Sequence, residues 1–256
     1  MQFIILGCGS SMGVPRADGF FGKCDPKNKK NYRTRCSAII KTKDENILID
    51  TSPDLRKQLL DNKISKIDKV LYSHMHADQT HGINDLRVFF IKNKKPIPVY
   101  ADKATSNYLM NSFSYCFSTY NNEYPAILKL NKIKKALFIK DKNKNISITP
   151  LKVKHGKVDS ICYFIGKDLA YISDISEISK KDYNKFLNLK YLVIDCLWYR
   201  NHPSHLNLDK TLELIKIFKP KKSVLTNLHN DLDYSELKKI LPKNVVPAYD
   251  GMRINL

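Results

Sequence analysis

The segment Tyr72-Ser73-His74-Met75-His76-Ala77-Asp78-Gln79-Thr80-His81-Gly82 constrains this chain more than any other, because it sets three histidines and a carboxylate just past a strand. Lys69-Val70-Leu71-Tyr72 reads as the end of a buried strand, and the loop that follows can aim His74 and His76 at one point. Asp78 falls where a helix can begin, so its carboxylate can sit at the positive helix end or turn back to the same ion. Imidazole with carboxylate makes a borderline ligand set that suits zinc, and also manganese or iron. Only seven histidines occur in 256 residues, and three of them fall between positions 74 and 81. Scattered surface histidines do not explain that concentration.

His-Met-His-Ala-Asp at 74–78 resembles the HxHxD(H) signature of metallo-β-lactamase-fold hydrolases. Four further segments resemble the same family, in its order. Asn46-Ile47-Leu48-Ile49-Asp50 is similar to the strand whose closing aspartate props the metal loop from behind the ligands. Leu151-Lys152-Val153-Lys154-His155 is similar to the strand that carries the third histidine ligand, Ala170-Tyr171-Ile172-Ser173-Asp174 to the one that delivers the bridging aspartate, and Val224-Leu225-Thr226-Asn227-Leu228-His229 to the one that delivers the last histidine. The resemblance implies an α/β fold of the metallo-β-lactamase-like αββα four-layer type. It also implies metal ligands at His74, His76, Asp78, His155, Asp174 and His229, holding one or two divalent ions, zinc or manganese, with iron and nickel also open.

A narrower likeness lies in Leu6-Gly7-Cys8-Gly9-Ser10-Ser11-Met12-Gly13-Val14-Pro15, in Arg35-Cys36-Ser37 and in Tyr249-Asp250-Gly251-Met252. These resemble PhnP-type cyclic phosphodiesterases, whose characterised members open phosphoribosyl 1,2-cyclic phosphate and related esters. His205-Leu206-Asn207-Leu208 resembles the segment in which that subfamily and the tRNA-processing relatives place a histidine near the scissile phosphate. Only His205 takes that role here.

Two departures matter. Where the family has a second consecutive ligand, HxHxDH, this chain has Gln79, a neutral amide and a poor metal ligand. Gln79 can coordinate weakly through its carbonyl oxygen, the second position can be left short of ligands, or His81, which shares a helical face with Asp78, can stand in. The second departure concerns the cysteine-bound structural zinc of some PhnP-type proteins. Here Cys24 stands alone after the opening loop, and no CxxC or CxC pair occurs, so no cysteine zinc site is expected. The six widely spaced cysteines read as buried reduced thiols, which fits a cytoplasmic protein. No signal peptide and no apolar stretch of membrane-spanning length is seen, so no membrane role is expected.

No linker composition divides positions 1–256, which read as a single hydrolase domain. Strands are predicted at about 2–6, 36–41, 46–50, 67–72, 97–101, 146–153, 162–174, 191–196 and 223–228, with helical spacing at 54–60 and at 208–218, the latter capped by Asn207. Net charge is +19, and such a field would hold nucleic acid as readily as any anionic substrate. However, seven of the 44 basic residues are arginine and the remaining 37 lysine, a bias that AT-rich coding also produces, and the lysine runs at 132–135 and 140–144 read as solvated faces. A small anionic phosphodiester is therefore the leading partner, with nucleic acid second. The resemblance leaves a homodimer open.

Hydrolysis of a phosphodiester needs a nucleophile at neutral pH, neutralisation of phosphoryl charge and a proton for the leaving alkoxide. A metal-activated hydroxide supplies the first and the ions the second, with Asp78 at the reacting centre. His205 is the candidate either to donate the proton or to hold the departing oxygen. Arg33 and Arg35 are the candidates for substrate-phosphate contacts, and Gly7, Gly9 and Gly13 for a loop that exposes amides to an anion. His202 and Trp198-Tyr199-Arg200 are placed to line the pocket, though His202 reads first as a surface-loop residue. Two rival functions remain: an RNA- or DNA-processing nuclease of the same fold, and a non-hydrolytic carrier or binding member, which a degenerate site at Gln79 would favour.

Overall fold

The computed structural model describes residues 1–120, 124–133 and 135–256. Fourteen strands among them form two seven-stranded mixed sheets. The first is built from β1 (Gln2–Gly7), β2 (Ser37–Lys41), β3 (Asn46–Ile49), β4 (Lys69–Leu71), β5 (Ile97–Ala101), β6 (Leu128–Lys132) and β14 (Met252–Asn255). The second is built from β7 (Leu137–Asp141), β8 (Lys144–His155), β9 (Val158–Ile165), β10 (Leu169–Ile172), β11 (Tyr191–Asp195), β12 (Lys222–Thr226) and β13 (Val245–Pro247). Their orders are β14-β1-β2-β3-β4-β5-β6 and β13-β12-β11-β10-β9-β8-β7.

Three apolar layers explain why the strands are hydrophobic on both faces. Phe3, Ile5, Ile47 and Ile49 meet Ile161, Tyr163, Tyr171 and Val193 between the sheets. On the outer face of the first sheet, Ile4, Leu48 and Val70 pack against α1 (Leu55–Asp61), α3 (Arg87–Asn93), α4 (Lys103–Ser112) and α5 (Ser114–Phe117) through Leu55, Phe89, Leu109 and Cys116. On the outer face of the second, Ala170, Ile194 and Leu225 pack against α6 (Leu208–Phe218) and α7 (Tyr234–Ile240) through Ile215, Phe218 and Leu237. Strands covered on both faces must be apolar throughout, which is how the chain reads. The αββα order is thus a consequence of burial.

Asn207 caps α6 as its sequence predicts, its side chain accepting from the Lys210 amide at 3.0 Å. The predicted strand at 162–174 is corrected: Gly166, with φ of 57°, turns the chain between β9 and β10, which pair antiparallel. The sequence reading also passed over β6, β7, β13 and β14. β6 and β7 are the edge strands of the two sheets, and they carry the lysine runs near 132 and 140. Lysine on an exposed edge discourages pairing with another chain; Lys134 itself lies outside the described residues. All six cysteines are buried and unpaired. No helix among the described residues is long and apolar enough to cross a membrane.

β3 pairs parallel with β4, and β10 through β13 pair parallel in succession. Asp50, His74, Asp174 and Asn227, in the loops that follow, and Asp195, the last residue of β11, therefore lie at the C-terminal ends of these strands, where open α/β sheets place their sites.

Candidate metal centre

His74 and His76 lie in the loop after β4, and His155 closes β8. His74 Nε2 is 3.0 Å from His76 Nδ1, and His155 Nε2 is 3.3 Å from the same atom. The other ring nitrogens are tied back. His155 Nδ1 donates to the Ser204 carbonyl at 2.7 Å, which leaves its Nε2 as a lone pair facing the cluster. His74 Nδ1 meets Ser73 Oγ at 3.0 Å, and burial pushes its pKa down to about 3, so the ring is neutral. Nitrogen lone pairs crowded onto one point repel unless a cation sits among them, so these side chains fit a divalent ion. Asp174 extends the set, since His155, Asp174 and His205 also place ligand-type atoms within 4.8 Å of one another.

Behind the ligands, Asp50 Oδ1 accepts the Ser73 amide at 2.7 Å and so fixes the start of the metal loop. Asp50 is fully buried with φ of 62°, a left-handed conformation that Asp tolerates better than most residues. Burial raises its carboxyl well above the ordinary range. Gly82 closes the same loop: a Cβ there would lie 2.0 Å from the Ser52 carbonyl oxygen.

Asp78 lies in the first turn of α2 (Ala77–Thr80), where burial, and then repulsion from Asp174, lift its carboxyl to about 6. Burial would also raise Asp174, but the facing imidazoles His74, His205 and His155 overcome it and hold that carboxyl low. Gln79, fully buried, donates from Nε2 to Asp78 at 3.0 Å and to Asp174 at 3.3 Å.

His205 Nδ1 bonds to Asp195 at 2.8 Å, and its ring centre is 4.6 Å from that of His155. Burial would lower its pKa, yet the carboxylates of Asp195, Asp174 and Asp78 raise it to about 9. Asp195 is itself pushed up to about 6 by burial. Asn227, with φ of 60°, donates to Asp195 at 3.2 Å and to Asp174 at 3.4 Å. Sequence reasoning passed over both residues as site members. The signal for Asp195 was present: Tyr191-Leu192-Val193-Ile194-Asp195 is an apolar strand ending in aspartate, as is the segment before Asp50.

His76, Asp78, His155, Asp174, His205 and Asn227 line a cavity of about 460 Å³ with Ser10, Ser11, Met12, Leu197, Trp198, His202, Ser204 and His229. His202 is thus a wall of the site, 5.1 Å from His205 between ring centres, and not the surface-loop residue expected. His229 reaches the cavity but stands outside both ligand groups, its ring 4.8 Å from Trp198.

Four expectations are corrected. His81 does not stand in as a ligand: α2 ends at Thr80, and the His81 ring bonds the Tyr108 hydroxyl at 2.8 Å with Phe113 beside it. Arg33 is not free for substrate, being 1% exposed and spent on the carbonyls of His229 (3.2 Å) and Leu232 (2.7 Å). Arg35 is not at the metal cavity: it pairs with Asp54 at 2.7 Å and lines the cavity next to it. The Gly9 and Gly13 amides are not offered to an anion, since they donate to the carbonyls of Thr34 and Ser10. Gly7 serves close packing: a Cβ there would lie 2.2 Å from the Arg35 carbonyl.

A family model described as a β-lactamase superfamily domain matches residues 45–227. An octanoyltransferase of Porphyromonas gingivalis (strain ATCC BAA-308 / W83) is 32% identical over 257 residues, covering 98% of this chain and 51% of that protein. The chain therefore spans about half the length of that relative. Among solved structures, a diphosphatase from the PhnP family superposes with a TM-score of 0.86 at 28% identity, over 100% of this chain and 97% of that one. Zinc-bound PqqB from Methylobacterium extorquens (TM-score 0.77, 17% identity, all of both chains) and the short form of human tRNase Z (0.68, 14%, 100% and 99%) share the fold. The chain belongs to the β-lactamase superfamily, has the metallo-β-lactamase fold, and is similar to a PhnP-family member over its whole length.

Proposed function

We propose that the protein hydrolyses a small anionic phosphodiester, a cyclic phosphate ester being the best fit. The observation that carries this reading is the His205–Asp195 pair beside the ligand cluster. It keeps a proton on an imidazole at the place where a leaving alkoxide needs one. His74, His76 and His155, with Asp174, would hold the metal. A bound divalent ion supplies a water of lowered pKa and a positive charge against phosphoryl oxygens.

The chain's own groups do the rest. Asp195 takes His205 Nδ1, so Nε2 is the ring atom left for the substrate. A cavity of about 860 Å³ adjoins at Met12 and carries Lys27 and Lys29 on its wall, neither paired with a carboxylate among the described residues. That charge supports an anionic substrate whose remainder extends away from the reacting phosphorus. Likeness to the PhnP-family diphosphatase supports phosphorus as the reacting centre.

The test is hydrolysis of bis(p-nitrophenyl) phosphate, ribose cyclic phosphates, a nucleoside diphosphate compound and single-stranded RNA, each with manganese, zinc or nickel. Faster turnover of small cyclic diesters supports the reading. Preference for RNA points to the nuclease, and metal uptake without turnover of any of them to a carrier.

A further inference from the structure

The positions at which HxHxDH relatives complete a second ion present N–H groups in this chain. Gln79 Nε2 donates to both Asp78 and Asp174, so amide hydrogens lie where a second cation would join the two carboxylates. Its Oε1 is buried without a partner, so no other group competes for the orientation. Turning the amide over would set Oε1 against two carboxylates, oxygen lone pair on oxygen lone pair.

His229 makes the same change independently. The Asp231 amide donates to its Nδ1 at 3.3 Å, which places the ring proton on Nε2. The orientation is held from behind, because Trp198, in contact with the ring, donates from Nε1 to Asp231 at 2.6 Å. In this tautomer Nε2 offers no lone pair to a metal, and it gains one only when the ring proton moves to Nδ1, beside Asp231 Oδ2 at 3.8 Å. Asn227 Nδ2, on Asp174 Oδ1 at 3.4 Å, adds another donor to the same carboxylate.

We infer that each chain holds one divalent ion, on His74, His76 and His155 with Asp174, and that the Gln79 amide replaces a second ion by hydrogen-bonding Asp78 to Asp174. This rests on the metal-dependent reading above and deepens it. Asp78 then acts as a hydrogen-bond acceptor at the rim of a mononuclear site, and His229 as an N–H donor into the cavity.

The experiment counts ions. Protein stripped with chelator is reloaded with excess Mn(II), desalted, and measured for metal per chain by mass spectrometry and for spin coupling by electron paramagnetic resonance. Wild type should retain close to one ion with an uncoupled spectrum. Asp78→Asn should still retain one, and Gln79→His should rise to two with an exchange-coupled spectrum. Two ions per wild-type chain, or a loss of metal in Asp78→Asn, would overturn the inference while leaving the hydrolase reading intact. Gln79→His remaining at one would overturn the role given to Gln79. No retained manganese, zinc or nickel in wild type would instead remove the metal-dependent reading itself. If Gln79→His fails to fold, the wild-type and Asp78→Asn counts decide.

Discussion

Asp195, at the end of β11, holds His205 Nδ1 at 2.8 Å and carries no exposed surface of its own. Its second oxygen accepts from Asn227 at 3.2 Å, so both sides of the carboxylate are engaged and the imidazole has one orientation. Such an arrangement serves proton transfer only if the leaving group needs a proton.

His205→Ala should therefore lower kcat by about 10²- to 10⁴-fold on an alkyl diester, and far less on a nitrophenyl diester, whose leaving group departs as the anion. Asp195→Asn, which removes only the orienting charge, should show the same dependence on leaving group with a smaller loss. Steady-state kinetics on paired substrates checks this. An equal loss on both leaving groups would mean that His205 is structural.

Asp50 is expected to govern metal affinity rather than chemistry. Asp50→Ala deletes the acceptor for the Ser73 amide and puts Ala in a left-handed conformation, so affinity should fall by about 10- to 100-fold. Asp50→Asn retains an oxygen acceptor and matches the neutral acid that burial favours, so it should stay near wild type. Competition with a chromogenic chelator separates the two variants.

Arg33 should behave as a strut. Replacing it by Met leaves the His229 and Leu232 carbonyls without their donors and should cost about 3 kcal/mol of stability, read by urea denaturation. KM should move little in the protein that remains folded. A large rise in KM at unchanged stability would return Arg33 to the substrate.

Asp250 sets a pH dependence away from the metal. Burial lifts its carboxyl to about 6 although Thr34 and Cys8 bond to it. The unfolded chain has the ordinary value of about 3.9. A folded-state pKa above the unfolded one means that the native state binds the proton more tightly. Its contribution to stability is complete below about pH 4, is lost as pH rises toward 6, and is flat above. The loss is about 2 to 3 kcal/mol. Asp250→Asn should flatten that slope, measured as unfolding free energy against pH, whatever its absolute stability.

Legibility of the site followed how locally each residue declares itself. His74, His76 and Asp78 stand within five positions, so their spacing marks them, whereas His155 and Asp174 were legible through the resemblance of their segments to the family's. Asp195 ends a strand as Asp50 does, but nothing local to it tells a site carboxylate from a structural one. The strand predicted over 162–174 hid a hairpin, because Gly166-Lys167-Asp168 interrupts two apolar runs that abut. Edge strands β6 and β7 were illegible for the opposite reason: half-exposed and rich in lysine, they lack the apolar signature of the central strands. Arg33 misled since an arginine near a predicted site is indistinguishable, in sequence, from one committed to carbonyls that lie 196 and 199 positions away.

The sequence by itself determined the layered α/β class and the cluster His74, His76 and Asp78, because burial period and ligand spacing are local properties, and the family resemblance added His155 and Asp174. Tertiary structure alone decided which way His81 turns, that Arg33 is buried, and that Gln79 bridges Asp78 to Asp174. Each of these depends on where a hydrogen-bond partner from a distant strand or helix comes to rest, and no periodicity in the chain encodes that position.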